Sequence, residues 1–164
     1  FLDSDDLWHH TKLTHQLDFM QSHSISFSFT SYELIDEHGF KIGRVVDKGH
    51  VKCVDYRDML RKKATLGCST VMLKKNDFED LWMPNIRTGQ DYALWLKLLK
   101  KNDRKAFLLD SILTFYRVSP NSISRNKVKK AMRQWQVYRK IESLNFTESV
   151  INFTFYAYRA IFRK

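Results

Sequence analysis

The period of apolar and polar positions changes several times along this chain, and each change marks an element. Leu13, Leu17 and Met20 recur at helical spacing, which predicts a helix over 10–21. The period then drops to two: Ile25, Phe27 and Phe29 alternate with Ser26, Ser28 and Thr30, the pattern of a half-buried strand over 25–35. Glu37-His38-Gly39-Phe40 reads as a turn, 51–53 as a short strand, and 56–63 as a short helix with Met59 and Leu60 inward. Residues 68–73 are rich enough in β-branched side chains for a strand. Tyr92, Trp95, Leu96 and Leu99 stand at i, i+3, i+4 and i+7, a buried helix stripe. Thr88 is placed to cap that helix, which puts Asp91 in its first turn. Residues 106–109 and 112–118 read as strands joined by a tight Asp110-Ser111 turn. Two helices close the chain. One, over 124–144, carries Val128, Met132, Trp135 and Tyr138 on one face; the other, over 148–162, is apolar nearly all round yet too short to span a bilayer.

Composition narrows the class. The 164 residues are 43% hydrophobic and 14% aromatic, with only two Pro and five Gly, which suits one α/β domain with a core and excludes a disordered or collagen-like chain. Cys53 and Cys68 form neither a metal spacing nor a disulfide framework, which points to a reducing compartment. His9, His10 and His15 have no carboxylate at ligand spacing and read as packing or surface histidines rather than a zinc site. The net charge of +10 is lopsided: residues 119–164 hold ten Lys or Arg against Glu142 and Glu148, a net +8. Such a segment calls for an anionic partner, whether phosphate, lipid headgroup or nucleic acid.

The chemistry concentrates at the start. Phe1-Leu2 runs into Asp3, Asp5 and Asp6, as a buried strand does when it opens onto a site. In extended chain Asp3 and Asp5 share a side, and hard oxygen donors at that density suit Mg²⁺ or Mn²⁺ completed by a phosphate. Turn chemistry, with Asp6 capping the next helix, is the plainer alternative.

Four segments in order resemble the bacterial family-2 inverting glycosyltransferases of the GT-A fold. They are Asp3-x-Asp5-Asp6-Leu7-Trp8; Thr65-Leu66-Gly67-Cys68-Ser69-Thr70-Val71-Met72; Gly89-Gln90-Asp91-Tyr92-x-Leu94-Trp95-Leu96; and Tyr116-Arg117-Val118-Ser119-Pro120-Asn121-Ser122-Ile123-Ser124. The resemblance implies a partial GT-A fold, a Rossmann-like mixed sheet flanked by helices, over 1–118, followed by a basic aromatic helical tail over 119–164. The family's front half, which binds the nucleotide base, has no counterpart ahead of Phe1, so the chain is expected to be the back part of a longer domain or the product of a truncated gene.

Roles follow from the resemblance, position by position. Asp5 and Asp3 would hold Mn²⁺ or Mg²⁺. Asp3, Asp6 and Arg117 would contact the nucleotide-sugar, Arg117 from a loop closing over the diphosphate. Asp91 would be the base that deprotonates the acceptor hydroxyl, and Trp8, Gln90 and Ser122 would border the acceptor or sugar pocket. The implied activity is transfer of a sugar from a nucleoside-diphosphate donor to a hydroxyl of a glycan or lipid-linked acceptor in surface polysaccharide or lipopolysaccharide synthesis. It would take place in the cytoplasm, with the basic tail resting peripherally on the anionic inner face of the membrane. The competing expectations are a catalytically inactive fragment and a basic nucleic-acid-binding module; no nucleic acid partner is expected, because the module lacks any recognised motif.

Overall fold

The computed structural model describes residues 1–49, 51–119 and 127–162. The chain runs β1 (Leu7–Trp8), α1 (Lys12–Ser22), β2 (Phe27–Ile35), β3 (Lys41–Val46), β4 (Cys53–Val54), α2 (Tyr56–Leu60), β5 (Met72–Leu73), α3 (Gln90–Lys100), β6 (Ala106–Arg117), α4 (Lys127–Gln136), a π-helical turn (Val137–Ile141) and α5 (Phe146–Phe162). One mixed sheet organises the molecule. Its two long strands, β2 and β6, lie side by side and parallel, from Ser28 opposite Phe107 to Ile35 opposite Arg117. The outer edge of β6 pairs antiparallel with β4 at its start and β1 at its end. The outer edge of β2 pairs with β5 and β3 in the same way.

The alternation along β2 separates two layers rather than core from solvent. Phe27 and Phe29 join the main core with Trp95 and Leu96 of α3, Met59 and Leu60 of α2, and Val137 and Tyr138 of the π-helical turn. The opposite face, Ser28 and Thr30, is fully buried too, because α1 covers it. Gln16 of α1 donates to Ser28 Oγ at 3.0 Å and to the Thr70 carbonyl at 3.0 Å. Buried hydroxyls need partners, and this face supplies them.

That arrangement overturns the expected face of α1. Leu13 and Leu17 are 53% and 48% exposed, while Lys12, Gln16 and Met20 point inward. The two expected strands at 106–109 and 112–118 are a single strand, β6: the register shifts as β2 passes from Thr30 to Tyr32, and Asp110 accepts a hydrogen bond from Ser31 Oγ at 3.0 Å. Residues 68–73 make strand only at Met72–Leu73, since Cys68–Thr70 winds into a 3₁₀ turn. In the C-terminal helices Tyr138 is fully buried and donates to the Leu60 carbonyl, but Val128 and Met132 face outward.

Candidate active site

The acidic turn at the start of the chain is held from below by Ser69. Its hydroxyl accepts from the Asp3 amide at 2.9 Å and donates to Asp6 Oδ2 at 2.6 Å. Its carbonyl accepts from Trp8 Nε1 at 2.7 Å and Thr114 Oγ1 at 3.2 Å. The 3₁₀ turn that the strand reading missed is therefore the seat of the acidic turn. Upstream of it, buried Asp47 accepts from the Thr65 and Leu66 amides. That grip holds Leu66 at φ 47°, a left-handed conformation unfavourable for a bulky side chain.

The three carboxylates of the turn part company. Asp3 and Asp5 are exposed, whereas Asp6 is buried, with Oδ1 accepting from the Arg117 amide at 2.9 Å and Oδ2 from Ser69. Each of its oxygens thus already accepts a hydrogen bond inside the protein. For Arg117 the expected loop placement is corrected. It ends β6 instead of lying on a loop. Its Nε donates to the Asp5 carbonyl at 2.8 Å, and Nη1 donates to the carbonyls of Asp36 and Glu37 at 3.0 and 2.8 Å. The guanidinium thus ties the acidic turn to the β2–β3 turn.

Asp91 comes from a separate element, α3. The N-cap of α3 is Gly89, at φ 78°, rather than Thr88; glycine takes that conformation without a Cβ penalty. Asp91 is then the second residue of the helix, half-buried, with exposed Gln90 before it. Trp95, one turn on, is fully buried and meets the Phe1 ring edge-on, with centroids 5.2 Å apart. Electrostatics register the convergence. Burial pushes the Asp3 carboxyl up, the Cys68 thiol that hydrogen-bonds it pulls down, and the charges of Asp91 and Asp5 push up further. Cys68 is pushed up to about 12, by burial first and then by Asp3 and Asp91. Tyr116 is pushed up to about 12, by burial first and then by Asp6, Asp3, Asp5 and Asp91 together. Tyr116 thus lies within electrostatic reach of all four carboxylates.

Among the described residues no group of three or more His, Cys, Asp or Glu side chains is arranged to hold a metal ion. Asp3 and Asp5 offer hard oxygens close enough for one charge to raise the other's proton affinity. A pair of that kind fits a divalent cation whose remaining ligands are phosphate and water. His9 Nδ1 pairs with Thr11 Oγ1 at 2.9 Å, a local turn contact. Ser122 lies outside the described residues.

Two groups went unnoticed in the sequence. Ser69 looks like any strand serine. Lys12, 1% exposed, lies over the Trp8 ring with its Nζ 4.4 Å from the centroid and donates to Gln16 Oε1 at 2.7 Å. Burial alone pulls its amine down to about 8. Trp8 therefore has one face covered by Lys12 and its N–H committed to Ser69.

No family model matches the chain. It is 43% identical over 161 residues to the putative teichuronic acid biosynthesis glycosyltransferase TuaG of Bacillus subtilis, covering 98% of this chain and 62% of that protein. It is 37% identical over 137 residues to the UDP-Glc:alpha-D-GlcNAc-diphosphoundecaprenol beta-1,3-glucosyltransferase WfgD of Escherichia coli, covering 84% of this chain and 52% of that protein. Among solved structures, S. aureus TarS 1-349 in complex with UDP-GlcNAc superposes with a TM-score of 0.58 at 16% identity, over 99% of this chain and 48% of that one. The chain thus spans about half to three fifths of the proteins it matches.

Proposed function

We propose that the chain is part of a bacterial family-2 glycosyltransferase domain of GT-A fold and that it moves a sugar, with inversion, from a nucleoside-diphosphate donor to a hydroxyl of a glycan or lipid-linked acceptor in cell-surface polysaccharide synthesis. The observation that supports this reading is a convergence of charge: Asp3 on the opening turn and Asp91 on α3 both act on Cys68 and on Tyr116, and Asp5 acts on Tyr116 as well.

Inverting transfer needs a base beside the attacking hydroxyl and positive charge beside the leaving diphosphate. Asp91 is the base: it stands in the first turn of α3, partly open to solvent, while buried Trp95 anchors its helix. The attacking hydroxyl gives its proton to the Asp91 carboxylate as its oxygen approaches the anomeric carbon from the face opposite the diphosphate. Asp3 and Asp5 would hold Mn²⁺ or Mg²⁺, which when bound neutralises the charge that builds on the leaving group. Asp6, Ser69 and Arg117 act as positioning residues in this reading, through the hydrogen bonds that hold the acidic turn in place. A lipid-linked acceptor, of the kind named for WfgD, would put the reaction at the inner face of the membrane.

Asp91→Asn tests the assignment. The expected result is a loss of transfer of about 10²–10⁴-fold, the usual weight of a general base, with donor binding by calorimetry nearly unchanged. Retained transfer would remove Asp91 from the mechanism. Asp5→Ala should abolish the dependence on added Mn²⁺ or Mg²⁺ along with activity.

A further inference from the structure

The last helix is apolar on both sides. Its inner side packs through Asn152, Phe153 and Tyr156, with the Trp135 ring perpendicular to Phe153 at 5.6 Å. At 100° per residue Val150, Ile151, Tyr158, Ile161 and Phe162 cluster on the opposite side. All five are exposed, Tyr158 at 61% and Ile161 at 73%. A surface helix ordinarily turns polar residues outward, and a contiguous apolar strip on a folded surface marks an interaction site.

Charge identifies the occupant. Of the two acids in residues 119–164, Glu142 is buried, accepting from Tyr56 Oη at 2.6 Å and from Lys100 Nζ at 3.1 Å. The other, Glu148, stands in the first turn of α5, where its amide donates to Asn145 Oδ1 at 2.8 Å and its Oε2 accepts from the Asn145 amide at 3.3 Å. The segment's ten Lys and Arg leave it a net +8. Two guanidiniums flank the strip directly: Arg61 and Arg159 lie 4.7 and 6.0 Å from the Phe155 ring, and neither forms an ion pair among the described residues. Arg61 Nε is buried without a hydrogen-bond partner there. A second copy of a chain carrying +10 would be repelled from this face, whereas a lipid surface with anionic headgroups takes both the apolar strip and the arginines. No helix among the described residues is long and apolar enough to cross a membrane.

We propose that the outward strip of α5, flanked by Arg61 and Arg159, docks on an anionic lipid bilayer with the helix in the plane of the headgroups. This deepens the lipid-linked-acceptor reading and rests on it for its biological sense, but its test is independent of catalysis. The whole protein is sedimented with vesicles of phosphatidylcholine alone and of equal parts phosphatidylcholine and phosphatidylglycerol, at low and high salt. Binding is expected only to the anionic vesicles and should weaken with salt. Ile151→Glu with Tyr158→Glu, both at exposed positions, should lower vesicle partitioning at least about a hundredfold while thermal unfolding stays as in the unsubstituted protein. Arg61→Gln with Arg159→Gln should abolish the preference for phosphatidylglycerol. Equal sedimentation of the double-Glu variant overturns the proposal. So does a dimer in equilibrium ultracentrifugation that the double-Glu variant loses, or binding to single-stranded RNA lost in the same variant. Failure of sugar transfer with vesicle binding intact would fault the catalytic reading alone.

Discussion

Ser69→Ala removes two hydrogen bonds at the seat of the acidic turn, and the two losses are unequal. The Asp3 amide it abandons belongs to an exposed residue, so water replaces the hydroxyl and little is lost. Asp6 Oδ2 has no such recourse: Asp6 is only 6% exposed and keeps just the Arg117 amide on its other oxygen. A hydrogen bond to an ionised group contributes about 1.5–3 kcal/mol, and the deleted hydroxyl leaves almost no room for a water to substitute. The expected cost at neutral pH is therefore about 2–3 kcal/mol, dominated by the charged bond. The cost also has a pH signature. Burial already pushes the Asp6 carboxyl up, and the Ser69 and Arg117 donors pull it back; without Ser69 it rises further. A carboxyl raised in the folded state binds protons that the unfolded chain has released, so stability falls as pH climbs from the ordinary carboxyl value to the folded one. The Ser69→Ala deficit should be complete at neutral pH and shrink as the solution is acidified toward about pH 4. Urea unfolding followed by tryptophan fluorescence, with matched slopes, measures it. A deficit under about 0.5 kcal/mol, or one that does not shrink with acid, would mean that Asp6 is not held as described.

Cys68 should alkylate slowly at neutral pH, and Asp3→Asn should speed it several-fold, because Asp3 raises the thiol both by charge and by hydrogen bond. Measured in a Cys53→Ser background, with a smaller gain for Asp91→Asn, this maps the convergence of the two acids directly; no gain from either would separate them. Lys12 offers a second pH test. Its folded value of about 8 lies below the ordinary 10.5. Below about 8 both folded and unfolded chains are protonated and the burial penalty stands in full; between 8 and 10.5 the unfolded chain binds more protons, so stability rises. Lys12→Met should lack that rise in denaturation series across the window.

Helix α3 was legible because Tyr92, Trp95, Leu96 and Leu99 repeat at helical spacing, although Ala93, Leu94 and Leu98 are buried as well, and Asp91 follows from it. The acidic turn was legible as chemistry but not as architecture. Which carboxylate faces inward depends on Ser69 and Arg117, which lie 63 and 111 residues away from Asp6. In α1 the reading went wrong for a physical reason. Its inner layer is polar, so the rule that apolar residues point inward chose Leu13 and Leu17 over Lys12 and Gln16. For β2 the alternation was real, but a helix covers each side, and no local pattern reports a covering element contributed from elsewhere. The interruption at Asp110-Ser111 looked like a hairpin because the side-chain bond from Ser31 that carries the strand through it is not visible locally.

An oily seam tolerates sliding, since one apolar contact replaces another at small loss. The seam under α1 has no such freedom: Lys12 reaches Gln16, and Gln16 reaches both Ser28 and Thr70, each link permitting one register. The helix is indexed to the sheet like a gear to a rack. Because the chain enters α1 straight from Trp8 and the acidic turn, that index also sets the height of the turn relative to the helix facing it.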